Sequence, residues 1–213
     1  MNRLQDRYSK LLLETDPRFH RYMYDRIGWN SRMIGLTGPR GVGKTTLVLQ
    51  YIKENLPPDT SLYVTAEDFY FADHRLLDLA DDFVRHGGKH LFIDEIHRFN
   101  KGQQDYLLPF VEDGTIILIG ATTENPYFEV NGALLSRSSV FELCPLSQEE
   151  VETLILRAVQ DEKKGMGSYH AVIEEDALHF LADLAGGDAR SALNAVELGI
   201  LTTPRSEDGM IHI

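Results

Sequence analysis

Residues 38–45 read Gly38-Pro39-Arg40-Gly41-Val42-Gly43-Lys44-Thr45, the spelling G-x-x-x-x-G-K-[ST]. Such a run demands a particular backbone. Glycines let the chain curl until several N–H groups point inward, a path that bulky side chains obstruct. An apolar run, Met33–Thr37, precedes it, and helical spacing follows from Thr45 to Asn55. Strand, glycine loop and helix in that order put the positive end of a helix on whatever anion the loop encloses. The chain is therefore expected to be α/β and to bind phosphate here.

The rest of the pattern fits that class. Ser61–Thr65, His90–Asp94, Thr115–Ala121 and Ser139–Leu143 are further apolar runs, with helical patterns between several of them, as at Leu76–Arg85. Apolar runs separated by helices are what a parallel sheet covered on both faces requires. After Pro145 the texture changes to three helical patterns, Gln148–Glu162, Glu174–Leu184 and Asp188–Leu201, with no strand between them. Upstream, Leu4–Glu14 and 17–27 read as helices, and Pro109 should kink or end a helix spanning 103–111. The expected organisation is an N-terminal helical segment (1–30), a doubly wound, five-stranded α/β domain (31–146) and a small all-α lid (147–213).

Composition narrows the setting. The chain has 213 residues, one cysteine and a formal net charge of −12. Cys144 has no partner for an internal disulfide and reads as a buried small hydrophobe, which points to a reducing, cytoplasmic location. No apolar run is long enough to span a bilayer, and the first residues lack the apolar core of a signal peptide. Histidines and Cys144 show no zinc-ligand spacing. The acidic balance does not support tight binding to a duplex, whose phosphates call for a basic face.

The second chemical signal is at the end of the third strand. His90-Leu91-Phe92-Ile93-Asp94-Glu95 is apolar until its last two residues. With the loop contacting phosphates through Gly38, Pro39, Arg40, Gly41, Val42, Gly43, Lys44, Thr45 and Thr46, the ligand expected is ATP with Mg²⁺. Lys44 would reach the β- and γ-phosphates, and Thr45 and Asp94 would hold the metal. Glu95 would orient or deprotonate the attacking water. An Asp-Glu pair favours hydrolysis coupled to conformational change over phosphoryl transfer to a small acceptor. Two lesser residues admit two readings each: Trp29 as adenine neighbour or core, and His97 as substrate contact or solvated helix residue.

From Asp94 onward, five phrases carry a family resemblance: Asp94-Glu95-Ile96-His97-Arg98-Phe99-Asn100-Lys101, Gln103-Gln104-Asp105, Ile119-Gly120-Ala121-Thr122-Thr123-Glu124-Asn125-Pro126, Ala133-Leu134-Leu135-Ser136-Arg137 and Gly187-Asp188-Ala189-Arg190. They resemble the replication-associated recombination protein A family of AAA+ ATPases. The resemblance implies a role in DNA replication and recombination maintenance. It implies Thr122 (or Thr123) as a sensor of the γ-phosphate, Arg137 as a finger reaching ATP on a neighbouring subunit, and Arg190 as a second sensor carried by the lid. It also implies a homo-oligomer, and DNA, single-stranded or forked, as a partner. Strand-end capping for Thr122 and surface ion pairs for the arginines are the alternatives. The stretch before residue 94 is similar instead to another group of bacterial and archaeal AAA ATPases, so the chain reads as a composite joined near residue 95. A second functional reading is a nucleotide-binding switch, slow to turn over, that signals to a protein partner. No segment past the lid helices matches the family's oligomerisation domain, which leaves assembly open.

Overall fold

Five short, largely apolar runs become strands; the three inner ones, Met33–Thr37, His90–Asp94 and Ile117–Thr122, have neighbours on both sides, while Ser61–Thr65 and Ser139–Glu142 are the edges. The computed structural model describes residues 2–213; Met1, the first residue of the expected N-terminal segment, lies outside them. In chain order the first unit runs α1 (Asn2–Glu14), β1 (Met33–Thr37), α2 (Lys44–Asn55), β2 (Ser61–Thr65), α3 (Tyr70–Asp73), α4 (Leu76–Arg85), β3 (His90–Asp94), α5 (Lys101–Asp105), α6 (Leu108–Glu112), β4 (Ile117–Thr122), α7 (Pro126–Glu129), α8 (Gly132–Leu135) and β5 (Ser139–Glu142). The strands form one parallel sheet in the order β2-β3-β4-β1-β5. Ile34, Leu36, Leu91, Phe92, Ile93 and Leu118 are buried at its centre.

Register decides what this sheet can do. Thr37 pairs with Thr122, and Thr65 pairs with Asp94. The carboxyl ends of β1, β4, β3 and β2 therefore finish level with one another. In open parallel sheets that edge is where ligands bind.

The chain divides into two compact units: one runs to Gly38 and from Gly43 to Leu143, the other holds Pro39–Val42 and Cys144–Ile213. The second unit contains α9 (Gln148–Gln160), β6 (Ala171–Val172), α10 (Glu175–Ala185), α11 (Ala189–Thr202) and β7 (Ile211–His212). Val151, Ile155, Val159, Ala182, Ala192, Val196 and Ile200 make its core. Ser147 opens α9 with a reciprocal cap: its hydroxyl accepts from the Glu150 N–H, and the Glu150 carboxylate accepts from the Ser147 N–H.

Several local expectations need correction. No helix forms at 17–27, where the chain makes only turns. Side chains of α2 hold the chain at and just before this stretch: Gln50 Nε2 donates to Phe19 O (2.6 Å) and Asp16 O (2.7 Å), and Lys53 Nζ donates to Thr15 O (2.7 Å). β4 starts at Ile117 because Thr115 is spent in a turn, its N–H donating to Asp113 Oδ1 (2.8 Å). Pro109 does break the helical run, and sits in the first turn of α6, where a missing N–H costs nothing. The helical unit also carries one short parallel pair, Ala171 with Ile211 and Val172 with His212. Cys144 is exposed, not buried; the inward positions on either side of it belong to Leu143 and Leu146. Trp29 lies on the outer face of α2, stacked on Tyr51 at 3.9 Å, with its indole N–H donating to Tyr24 O.

Candidate active site at the carboxyl edge of the sheet

β1 hands the chain to the loop at Gly38, and two glycines there have no substitute. Gly38 has φ +144°, and a Cβ would fall 2.3 Å from the Leu143 carbonyl oxygen. Gly41 has φ +76°, and a Cβ would fall 1.7 Å from Asp188 Oδ1. Pro39–Val42 cluster with the helical unit, within which the Ala189 N–H donates to Gly41 O at 3.2 Å. Asp188 also caps α11, its Oδ1 accepting from the N–H groups of Arg190 (2.8 Å) and Ser191 (3.1 Å). Gly41→Ala would combine a left-handed φ, costing an L-residue about 1–2 kcal/mol, with a clash against that cap. Nucleotide affinity of Gly41→Ala, measured by calorimetry, is expected to fall by about tenfold or more.

Within the first unit, α2 begins at Lys44 and turns it inward. Lys44 is buried, and its Nζ donates to Gly38 O at 2.7 Å. Burial pulls the ammonium below the usual lysine range, while the negative charges of Glu95 and Asp94 push it back up. With one ammonium against two carboxylates, a phosphate here calls for a divalent cation to balance the added negative charge. One residue on, Thr45 Oγ1 donates to Asp94 Oδ2 at 2.6 Å. The Tyr63 hydroxyl donates to the same oxygen at 2.7 Å, and the Glu95 N–H reaches Asp94 Oδ1 at 3.1 Å. Burial, and then the Asp94 charge, raise the Tyr63 phenol far above the ordinary tyrosine value, so it stays a neutral donor. Thr46 faces outward in the first turn of α2, and Pro39 and Arg40 are exposed at the loop tip.

A hydroxyl and a carboxylate side by side, next to a buried lysine that follows the glycine loop in the chain, are the hard oxygen donors that Mg²⁺ takes and a cation that phosphates take. The residues fit Mg-nucleotide.

Glu95 has φ +54°, one of two non-glycine residues with positive φ among those described. That conformation is costly for an L-residue and survives where surroundings fix it. Here they do. Thr123 Oγ1 donates to Glu95 Oε2 at 3.0 Å, and His97 Nδ1 lies 3.2 Å from the same oxygen. His97 Nδ1 is also 2.9 Å from Thr122 Oγ1. Glu95, His97, Thr122 and Thr123 thus form one polar chain across the ends of β3 and β4. His97 is neither on a regular helix nor solvated: it sits half-buried in a 3-10 turn at Ile96–Arg98. Tyr63 escaped the sequence reading because nothing in Ser-Leu-Tyr-Val-Thr marks one strand residue as facing the acidic pair. The register of β2 on β3 does.

Lys44, Thr45, Asp94, Glu95, Thr122 and Thr123 are thereby assembled in the first unit. Arg137, in the same unit, is exposed and turned to its own chain: Nη2 pairs with Glu112 Oε1 at 2.6 Å and Nη1 donates to Ala133 O at 2.9 Å. Arg190, in the second unit, is exposed at the start of α11.

Comparison with known proteins agrees with this architecture. A family model described as "AAA domain" matches residues 30–152. Replication-associated recombination protein A of Bacillus subtilis (strain 168) is 41% identical over 179 residues, covering 84% of this chain and 41% of that protein. ATPase WRNIP1 of Dictyostelium discoideum is 46% identical over 169 residues, 78% of this chain and 19% of that protein. The chain thus spans about two fifths of the length of the bacterial relative. An alignment of 179 residues is longer than the stretch from Asp94 to Ile213, so this likeness runs into the first half. A solved mutant of Thermotoga maritima RuvB has the same fold, with TM-score 0.64 at 23% identity, covering 98% of this chain and 65% of that one. The family match spans the sheet, the loop and the acidic strand end, and the chain is a member of the AAA domain family, similar in sequence to replication-associated recombination protein A.

Proposed function

We propose that the first unit binds ATP with Mg²⁺ and hydrolyses it, and that the wider role is maintenance of replication or recombination structures in DNA. The observation that carries the ATPase reading is the bond from Thr45 to Asp94, 2.6 Å long, beside the buried ammonium of Lys44. Loop amides from Gly38 to Thr46 would hold the phosphates, and Lys44 would exchange its bond to Gly38 O for phosphate oxygens. Thr45 and Asp94 would hold the metal. Magnesium, when bound, draws charge from the β- and γ-phosphate oxygens. Glu95 accepts a proton from water as that water's oxygen bonds to the γ-phosphorus; the bond to the β-phosphate oxygen breaks, leaving ADP and inorganic phosphate. Thr122, through His97, and Thr123 directly keep Glu95 in position. Arg137 is proposed to act on a neighbouring subunit's nucleotide. An exposed pair such as that with Glu112 is worth no more than about 1 kcal/mol, so assembly can break it. Arg190 is the lid's proposed contribution to the phosphates. The relatives' names support the link to DNA.

A second reading, a slow nucleotide switch acting on a protein, is favoured by the capture of Glu95 by Thr123 and His97 and by the net charge of −12. Steady-state ATP turnover, with and without single-stranded or forked DNA at low salt, separates the two. Hydrolysis stimulated by DNA supports the first; nucleotide binding with neither turnover nor DNA binding supports the second. No described helix is long and apolar enough to cross a membrane.

A further inference from the structure

Asp94 has two carboxylate oxygens and about four acceptor positions. Described residues fill three of them. Thr45 and Tyr63 hydroxyls both donate to Oδ2, at 2.6 and 2.7 Å, and the Glu95 N–H donates to Oδ1 at 3.1 Å. Oδ2 is thereby saturated, and one position remains, on Oδ1. Two of the three donors follow from the phosphate loop and the acidic strand end themselves. Tyr63 does not. It comes from β2, the edge strand, where it pairs with Phe92 while Thr65 pairs with Asp94. Alternation puts residues 63 and 65 on one face of the sheet. From two residues back, only a side chain as long as tyrosine's carries a hydroxyl forward to the carboxylate. Tyr63 as a whole is 8% exposed, so it is enclosed by protein.

We infer that Tyr63 is a positioning residue for the divalent cation: by closing the second acceptor position of Oδ2, it holds the Asp94 carboxylate in one orientation and leaves a single position for a metal-bound water. This rests on the reading of Asp94 as the magnesium carboxylate. Unlike a water in the same place, a phenol tethered to a strand is not exchanged when the cation arrives. The ring does not touch nucleotide in this account; it acts only through Asp94.

The test is binding, not turnover. ADP affinity is measured by calorimetry across a Mg²⁺ series and in EDTA, for the wild type, Tyr63→Phe and Asp94→Asn. Tyr63→Phe keeps the ring and removes the donor. Its ADP affinity in EDTA is expected to match the wild type, while the Mg²⁺ concentration giving half the full affinity gain rises roughly tenfold, the scale for one hydrogen bond to a charged group. Asp94→Asn is expected to raise it at least as far. An unchanged Mg²⁺ requirement in folded Tyr63→Phe, with a shift in Asp94→Asn, overturns the role of Tyr63 and leaves Asp94 as the metal carboxylate. No shift in Asp94→Asn overturns the underlying reading. A purely structural Tyr63 would change the melting temperature and not the metal requirement. Should Tyr63→Phe not fold, Tyr63→Met, of similar length and without a donor, carries the same expectation.

Discussion

Lys44→Ala is expected to weaken Mg-ATP binding by on the order of a hundredfold or more while leaving the protein folded. The size follows from what the ammonium would contribute: two charge-assisted contacts to phosphate oxygens, each worth about 1.5–3 kcal/mol. Stability should move the other way, or little. Lys44 is buried, and burial lowers its pKa, so alanine removes a cation that burial disfavours. Against that gain stands the loss of one bond to Gly38 O. Calorimetric titration and thermal melts together check the prediction. A large loss of affinity with a retained melt fits a binding lysine. Equal affinity in wild type and variant would mean the loop is ornamental.

Glu95→Gln is expected to keep nucleotide affinity and to lower turnover by roughly 10²–10³, within the range ascribed to a positioned general base. Glutamine preserves the shape and can still accept from Thr123 Oγ1, which now donates to Glu95 Oε2 at 3.0 Å. It cannot take a proton from water. Glu95 holds a left-handed φ of +54°, and glutamine is expected to keep it. Single-turnover hydrolysis with saturating Mg-ATP is the proper measurement, because it excludes product release. If wild-type turnover is already negligible and the variant matches it, Glu95 is not acting as a base and the switch reading takes over.

The parts of this architecture legible beforehand are those written in local pattern. Leu76–Arg85 was readable as a helix to the residue because its apolar positions repeat with helical spacing and Gly87 terminates it. The strand ending in Asp94 and Glu95 was legible from a change of residue type at one position. The region 17–27 was not, because its helical periodicity competes with long polar side chains on α2 that are distant in sequence. Gln50 claims the Phe19 carbonyl within it, and Gln50 and Lys53 claim those of Asp16 and Thr15 just before it, only after the fold brings them there. Cys144 misled for a related reason: which residue of Leu143, Cys144, Pro145 and Leu146 faces inward depends on how the strand leaves the sheet.

The candidate site divides in the same way. Gly38, Lys44, Thr45, Asp94 and Glu95 were nameable from motif chemistry. Thr122 came from family resemblance, and the structure places it beside His97 at the end of β4. Tyr63 and the His97 bridge were invisible, since both depend on the pairing of β2, β3 and β4. Asp188, legible as the start of a helix and as part of the phrase Gly187–Arg190, also lies against Gly41, a contact that sequence spacing does not encode.

The central claim is that the glycine loop, Lys44 and the Thr45–Asp94 pair receive a nucleotide triphosphate with its metal. Isothermal titration of the wild-type protein with ATP in excess Mg²⁺, on a sample shown to be folded by its thermal melt, tests it most directly. The account predicts saturable binding of one nucleotide per chain, weakened when EDTA removes the metal and weakened by about a hundredfold or more in Lys44→Ala. Absence of measurable binding at millimolar nucleotide, or binding indifferent to both metal and Lys44, would contradict it.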